Sequence, residues 1–338
     1  MTDELLKFGP IWGGSGVTNF FGQGYPYHKY WKKFGLDLRG LTRVDKTATA
    51  NFNRGNMPML GDGITPREFF PNCIYVSPRS WYYGGALNAV ALSNPGIESL
   101  IFRNEWQLME QPFFISIMAI GETVEMKLKE INFFADQICK MISARPHLKS
   151  ILGIQLNLTC PSTSHSMNEL IRGMVAEARS YLDILGSLGL PIVPKINVLL
   201  PPEYAAEIAC HGRCSGLTLS NTIPWDDLPR FGIDRKKIFG SDISPLIKKR
   251  GFKQAGGYSG RELLPIVCKY VRELRHLGCN FHINAGGGLL YAENVDQLND
   301  TGPNSFSMGS ASFLRPRQTG PIIRRAYKLK GVKFPFDD

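Results

Sequence analysis

The sequence predicts an α/β fold, a (β/α)8 barrel with inserted loops or small hairpins over its C-terminal face, and three observations carry that reading. Eight short apolar runs of strand length recur along the 338 residues. Segments with helical spacing separate most of them, an alternation that calls for parallel strands, and eight parallel strands close into a barrel. Glycines and polar side chains collect at the C-terminal ends of the runs, where barrels of this kind place their sites. The competing architecture, a doubly wound open sheet, would want a glycine fingerprint after the first strand. Gly13-Gly-Ser-Gly-Val lacks both that spacing and a clean acidic residue at the next strand's end. Barrels of this length fold as one unit, so residues 1–338 are read as a single domain.

Each element has its own signal. Phe8 to Val17 is a short apolar run ending in glycines, a strand opening into a tight turn. Tyr25 to Phe34 reads as a helix, and Leu41 to Ala48 alternates like a strand that leaves Lys46 near its end. Residues 52–86 are rich in Gly, Pro, Asn and aromatics without periodicity, an excursion long enough to cover something, with room for a small hairpin. Pro112 to Ala119 is a strongly apolar strand, and Glu122 to Ser143 carries Val124, Leu128, Ile131, Ala135, Ile138 and Ile142 on one helical side. Ile151 to Asn157 is the next strand, stopped by Pro161. The polar, serine-rich piece from Ser162 to Asn168 suits a mobile surface loop. A helix follows from Met167 to about Leu188. Pro191 to Asn197 is a strand ending near Lys195, 201–211 a helix, and Gly216 to Thr222 a further strand. Ala255-Gly-Gly-Tyr-Ser-Gly leads into a helix over 261–277. Asn280 to Ala285 runs into Gly286-Gly-Gly and a helix over 291–300. Asn304 to Met308 runs into Gly309-Ser310 and a closing helix near 320–330.

Composition narrows the function classes. Hydrophobic residues make up 43% and charged residues 20%, ordinary for a globular protein. No apolar run approaches the roughly 18 residues that cross a bilayer, and the acidic start Met1-Thr-Asp-Glu has no signal-peptide pattern. The seven cysteines are odd in number and scattered, which argues for a reducing compartment, so an intracellular, cytoplasmic protein is expected. Cys210-His211 with Cys214 has no second pair at ligand spacing, and no metal is expected. The net charge of +10 fits an anionic ligand or a nucleic acid. Its concentrations at 230–253 and 315–333 do not interleave with aromatics and read as solvated faces.

If the barrel is right, its strand tips meet in one place. They carry Ser15 and Gly16, Lys46, Asn157 with Cys160, Lys195, Asn221 with Thr222, Gly286 to Gly288, and Gly309 with Ser310. Glycines after the last two strands can bring backbone N–H groups to a phosphate. Lysines among apolar neighbours need an anion to offset desolvation, unless they turn out to be solvated at the surface. Asparagines offer donor and acceptor together to the amide edges of a planar ring. Cys160, between a strand and a loop, is either an inert buried thiol or one presented to a ligand.

At these residues the chain resembles a family. Asn157-Leu-Thr-Cys160-Pro is similar to the Asn-x-Ser-Cys-Pro signature of the class 1 flavin-dependent dihydroorotate dehydrogenases. Lys46-Thr-Ala-Thr with Arg54-Gly-Asn resembles the family's lysine-to-Gly-Asn segment. Asn88 and Leu92-Ser-Asn-Pro-Gly resemble its substrate asparagine and the turn after it. Gly256-Gly-Tyr-Ser-Gly with Leu264-Pro265, and Gly286-Gly before Gly309-Ser310, resemble its phosphate-binding loops.

The resemblance implies an FMN-binding barrel that oxidises dihydroorotate to orotate in pyrimidine biosynthesis. Cys160 would be the base that removes a proton while hydride leaves the neighbouring carbon for the flavin. Lys46, Asn88, Asn157, Ser162, Asn221 and Thr222 would contact the substrate. Ser15, Gly16, Lys46, Asn157, Lys195, Gly256, Gly257, Gly286, Gly287, Gly309 and Ser310 would contact FMN. The expected partner is a small-molecule substrate, dihydroorotate or a similar dihydropyrimidine, with neither nucleic acid nor membrane; a homodimer is left open. One position departs from the family: Ser162 stands where an asparagine is usual. Losing an amide from a buried polar site is worth roughly 1–3 kcal/mol, enough to weaken dihydroorotate or favour a relative of it. Two alternatives stand beside this reading: a reductase of uridine in transfer RNA, for which a helical RNA-binding domain would be needed, and a flavin or phosphate binder that lost its chemistry.

Overall fold

The computed structural model describes residues 4–158 and 167–337. Eight strands form one parallel sheet: β1 (Ile11–Gly13), β2 (Arg43–Val44), β3 (Phe113–Ile117), β4 (Leu152–Asn157), β5 (Ile192–Ile196), β6 (Gly216–Leu219), β7 (His282–Gly286) and β8 (Ser305–Met308). Their spatial order runs from β1 through β8, β7, β6, β5, β4 and β3 to β2. The ends of that row meet, because Thr42 N donates to Ile11 O at 3.0 Å and Gly13 N to Thr42 O at 2.8 Å. The sheet is therefore closed, as the alternation of runs predicts.

A helix follows each strand: α1 (Pro26–Lys33), α2 (Ile97–Phe102), α3 (Val124–Ala144), α4 (Met167–Gly186), α5 (Pro202–Ala209), α6 (Leu263–His276), α7 (Ala292–Asn299) and α8 (Thr319–Leu329). α3 shows why such segments are helical. Thr123 caps it by accepting from Met126 N at 3.2 Å, and Ile131, Phe134, Ile138, Met141 and Ile142 repeat every three or four residues on its buried side. β3, Phe-Phe-Ile-Ser-Ile, is buried at every position, which explains why only Ser116 interrupts its apolar side chains. Full burial of each such side chain stabilises by about 1.5–3 kcal/mol. The bottom of the barrel is plugged by Leu5, Phe8, Trp12, Val44, Phe114 and Val193, with Phe8 stacked on Phe114 at 4.1 Å between ring centroids.

A second sheet covers the opposite, C-terminal mouth. It is antiparallel and joins, in order, Ile74–Tyr75, Gly85–Asn88, Gly257–Gly260 and Ile223–Pro224. The excursion over 52–86 thus does cover something. In place of a tight hairpin, the helix Pro78–Tyr83 separates its two short strands. Gly257–Gly260, expected as a loop, is a strand of this cover paired with Gly85–Asn88. Glycine is required there for close approach: a Cβ on Gly257 would lie 2.0 Å from Thr222 Oγ1.

The strand expected over Leu41 to Ala48 is shorter than its alternation suggests. After Val44, Asp45 N still donates to Phe114 O, but Lys46 N turns to Asn19 O, so the chain leaves the ladder at the lysine. Likewise the run from Gly216 to Thr222 is a strand only to Leu219. Among the described residues no helix is long and apolar enough to cross a membrane.

Candidate active site at the barrel mouth

Between the barrel tips and the cover sheet lie two contiguous cavities of about 220 and about 500 Å³ that share Ser15, Gly16, Tyr25, Asn88, Val90 and Thr222. The first holds Lys195, Gly286, Gly287, Gly288, Gly309 and Ser310. The second holds Lys46, Asn157, Asn197, Asn221, Gln254, Gly256 and Gly257. Fourteen expected site residues therefore meet at one mouth despite separations of up to almost 300 positions in sequence. The two others, Cys160 and Ser162, lie outside the described residues, as does the loop expected from Ser162 onward. Gly256 and Gly257, expected beside the phosphate-binding glycines, belong to the second cavity with the amides, across from Gly286 and Gly309.

The β1 tip is stitched to the β2 tip. Ser15 Oγ donates to Asp45 O at 2.9 Å and lies 2.9 Å from Thr47 Oγ1, which in turn lies 2.9 Å from Ser116 Oγ. Gly16, at φ +80°, packs directly on the Lys46 side chain. Below them Asp45 is fully buried; it accepts from Trp106 Nε1 at 2.6 Å and lies 2.7 Å from Arg43 Nε. That last contact is an ion pair without hydrogen-bond alignment. This anchor fixes the residue next to Lys46.

Of the two lysines, Lys46 is buried as the sequence suggests and Lys195 is partly exposed to the first cavity. Lys46 is 6% exposed; its Nζ donates to Ser93 O and sits 5.0 Å from the centroid of the Phe20 ring. Burial lowers its pKa to about 7. Lys195 is lowered to about 8 by the same desolvation, and its ammonium has no hydrogen-bond partner among the described residues. A desolvated cation without an anion is costly, so the first cavity is built for a ligand that supplies one.

The amides are held by one another. Asn221 Nδ2 donates to Asn157 Oδ1 at 2.8 Å and to Leu158 O at 3.3 Å, and Asn197 Nδ2 donates to Thr222 O at 2.6 Å. Opposite them, the glycines leave backbone donors open: the N–H groups of Gly287, Gly288, Gly309 and Ser310 have no partner among the described residues. Gly286 and Gly288 admit no side chain. A Cβ would fall 1.8 Å from Ser307 O at the first and 2.8 Å from Arg261 O at the second, where φ is +77°. Several free N–H groups beside glycines, with a cation near, form an anion-binding concavity.

Sequence reasoning missed Tyr25, Tyr27, Asn197 and Gln254. Tyr25, read only as a helix start, donates through its hydroxyl to Gly16 O at 2.8 Å. Asn197 stands two residues beyond Lys195 on the same tip, a signal that was available. Gln254 lies in a basic segment and has none.

These features define a (β/α)8-barrel protein with one composite polar mouth that pairs an anion cradle with a set of oriented amides. Its relatives have names. The chain is 27% identical over 322 residues to the catalytic subunit of dihydroorotate dehydrogenase B (NAD(+)) of Latilactobacillus sakei, covering 93% of this chain and 87% of the relative. It is 26% identical over 319 residues to the same subunit from Streptococcus pneumoniae, covering 93% and 86%. It is 26% identical over 265 residues to dihydroorotate dehydrogenase A (fumarate) of Limosilactobacillus reuteri, covering 73% and 75%. The crystal structure of DHODH from Eimeria tenella in complex with ferulenol shares the fold, with a TM-score of 0.63 and 14% identity over 96% of this chain and 83% of that one. No family model matches the chain. The resemblance carried by the sequence motifs is borne out: the chain is similar over most of its length to dihydroorotate dehydrogenases.

Proposed function

We propose that this chain is an oxidoreductase that converts dihydroorotate to orotate, with FMN in the first cavity, the dihydropyrimidine in the second and Cys160 as the base. The observation that carries the proposal is the convergence of Lys46, Lys195, the paired amides and the late glycines on one continuous mouth. The residues present fit a flavin nucleotide. Gly287, Gly288, Gly309 and Ser310 offer open N–H donors for a phosphate, and Lys195 offers a cation for an electron-accepting ring.

When bound, FMN supplies the acceptor for the hydride that leaves the substrate ring. The chain's own residues do the rest. Asn88, Asn157, Asn221 and Thr222 hold the ring by its amide edges, and the bond from Asn221 to Asn157 fixes which of those two amides donates and which accepts. Lys46, buried and half-charged near neutrality, binds an anionic or carbonyl group of the substrate. The Cys160 thiolate takes the proton from the carbon beside a ring carbonyl; that C–H pair becomes the new ring double bond, while the neighbouring carbon loses hydride with the pair of its own C–H bond. The cover sheet contributes Asn88 and Gly257 to the second cavity and Ser259 to the first.

Anaerobic titration tests the proposal. The purified protein is expected to be yellow and to lose its flavin absorbance on addition of dihydroorotate, with orotate formed in equal amount. A flavin that stays oxidised in excess dihydroorotate would overturn the assignment of substrate.

A further inference from the structure

We infer that Gln254 is a substrate-contacting residue, a fixed hydrogen-bond donor that reads a carboxylate or carbonyl oxygen of the bound ring at the outer wall of the second cavity. The inference rests on the function proposed above and adds a contact that the sequence motifs do not contain. Gln254 lines the cavity that holds Lys46, Asn88, Asn157 and Asn221, on a chain segment that precedes the cover strand Gly257–Gly260.

Its amide is not free to choose its orientation. Asn56 Nδ2 donates at 2.8 Å to Ala89 O, an atom that can only accept, so the nitrogen of the Asn56 amide is identified by that bond. The second N–H of the same nitrogen points at Gln254 and is met by Oε1 at 2.9 Å. Gln254 is exposed at the cavity rim, and with its oxygen committed to Asn56 its Nε2 has no partner among the described residues. Asn56 itself is set by its backbone, whose N–H donates to Val90 O at 3.0 Å. The pair joins two distant segments, 198 positions apart, at the rim of the cavity. An oriented donor without an internal partner, beside an ammonium and a set of amides, suits an anionic or carbonyl oxygen. Gln254 supplies to this cavity an amide N–H that the sequence motifs do not contain.

The experiment uses the flavin-loaded protein and two readouts: orotate affinity, from the change in the flavin absorption spectrum, and steady-state kinetics with dihydroorotate. Gln254→Leu removes the donor, and it should weaken orotate and raise KM roughly 10-fold or more, as loss of a hydrogen bond to a charged group does, with kcat and flavin content unchanged. Gln254→Glu keeps the size but turns an acceptor and a negative charge towards the ligand, so its loss should exceed that of Gln254→Leu. Asn56→Ala frees the amide to flip and should give a smaller loss in the same direction. Equal affinities in all variants would overturn the inference. So would losses in Gln254→Leu and Gln254→Glu that are alike and accompanied by falling flavin content, since that marks a merely structural role. Failure of the underlying reading shows itself in the unsubstituted protein, which would then neither bind orotate nor be reduced by dihydroorotate. Failure of the inference alone shows only in the variants.

Discussion

Asn221 Nδ2 donates to Asn157 Oδ1 at 2.8 Å, across the tips of β6 and β4. The bond assigns the remaining atoms: Asn157 turns its Nδ2 donors and Asn221 its Oδ1 acceptor to the second cavity. Together they match the alternating donors and acceptors of a dihydropyrimidine ring. Asn157→Asp keeps the acceptor for Asn221 but replaces the ligand-facing donor with a charged acceptor. We expect kcat/KM for dihydroorotate to fall by at least tenfold, and further than in Asn157→Ala, because a mispaired polar group costs about 1–3 kcal/mol in a desolvated site. Steady-state kinetics on the two variants checks the order; an Asn157→Ala loss larger than that of Asn157→Asp would refute the donor assignment.

Gly286 and Gly309 end neighbouring strands, yet they are required for different reasons. A Cβ on Gly286 would lie 1.8 Å from Ser307 O, inside the β7–β8 ladder, whereas a Cβ on Gly309 meets nothing within 4 Å and would enter the first cavity. Gly286→Ala should therefore destabilise the fold by at least the 1–3 kcal/mol typical of overpacking. Gly309→Ala should leave stability within about 0.5 kcal/mol and weaken flavin binding by roughly tenfold, equivalent to about 1.4 kcal/mol. Urea denaturation and flavin titration on both variants separate the two effects, and a Gly309→Ala protein that binds flavin normally would remove its glycine from the cradle.

Much of this arrangement is legible in the sequence, and the rest is hidden for identifiable reasons. Phe113–Ile117 and Leu152–Asn157 announce themselves because a strand covered on both sides is mostly apolar, with Ser116 and Gln155 as the interior exceptions. The cover sheet does not. Its strands are two to four residues long, and Gly85, Gly257 and Gly260 are there for close backbone approach, so no period of two can build up. Lys46 and Lys195 could be placed at strand tips from their apolar neighbours. That Lys46 has Ser93 O as a partner while Lys195 has none among the described residues is a tertiary fact. Gln254 is invisible for the same reason, since only the partner 198 positions away gives its amide an orientation.

The unpartnered Lys195 makes stability depend on pH in a stated direction. Burial holds its folded-state pKa near 8, below the 10.5 of an exposed lysine. Between those values the unfolded chain binds more protons than the folded one, so stability rises as pH climbs from about 8 towards 10.5, and the full cost is felt below 8. Lys46, lowered to about 7, acts in the same sense and widens the window downward. In the flavin-free protein, Lys195→Met should therefore raise stability at pH 7, by less than the full shift implies because solvent in the cavity screens the partly exposed ammonium. The gain should shrink as pH passes 9, while the reduced flavin loses its cation and the flavin's reduction potential falls. Thermal melts across pH 6 to 10 for parent and variant test this. A melting difference that does not vary with pH would refute it.

Leu158 N–H donates to Lys195 O at 3.0 Å, so the described part of this segment ends beside the strand that carries the cation; Cys160, two positions further in sequence, lies outside the described residues. If the thiolate is the base, the Cys160→Ser variant keeps the shape but needs a far higher pH to form the corresponding anion. A positioned base contributes roughly 10²–10⁴-fold, so the anaerobic rate of flavin reduction by dihydroorotate at pH 7 should fall by about 100-fold or more in the variant and recover in part as pH rises. Flavin content and orotate affinity should stay within about twofold of the parent, because a hydroxyl keeps the hydrogen-bonding capacity of the thiol it replaces. Stopped-flow traces at several pH values distinguish the cases. Equal reduction rates in parent and variant would assign the proton to another group. A slow rate with no pH dependence would show that the substitution disturbed substrate placement and not proton removal.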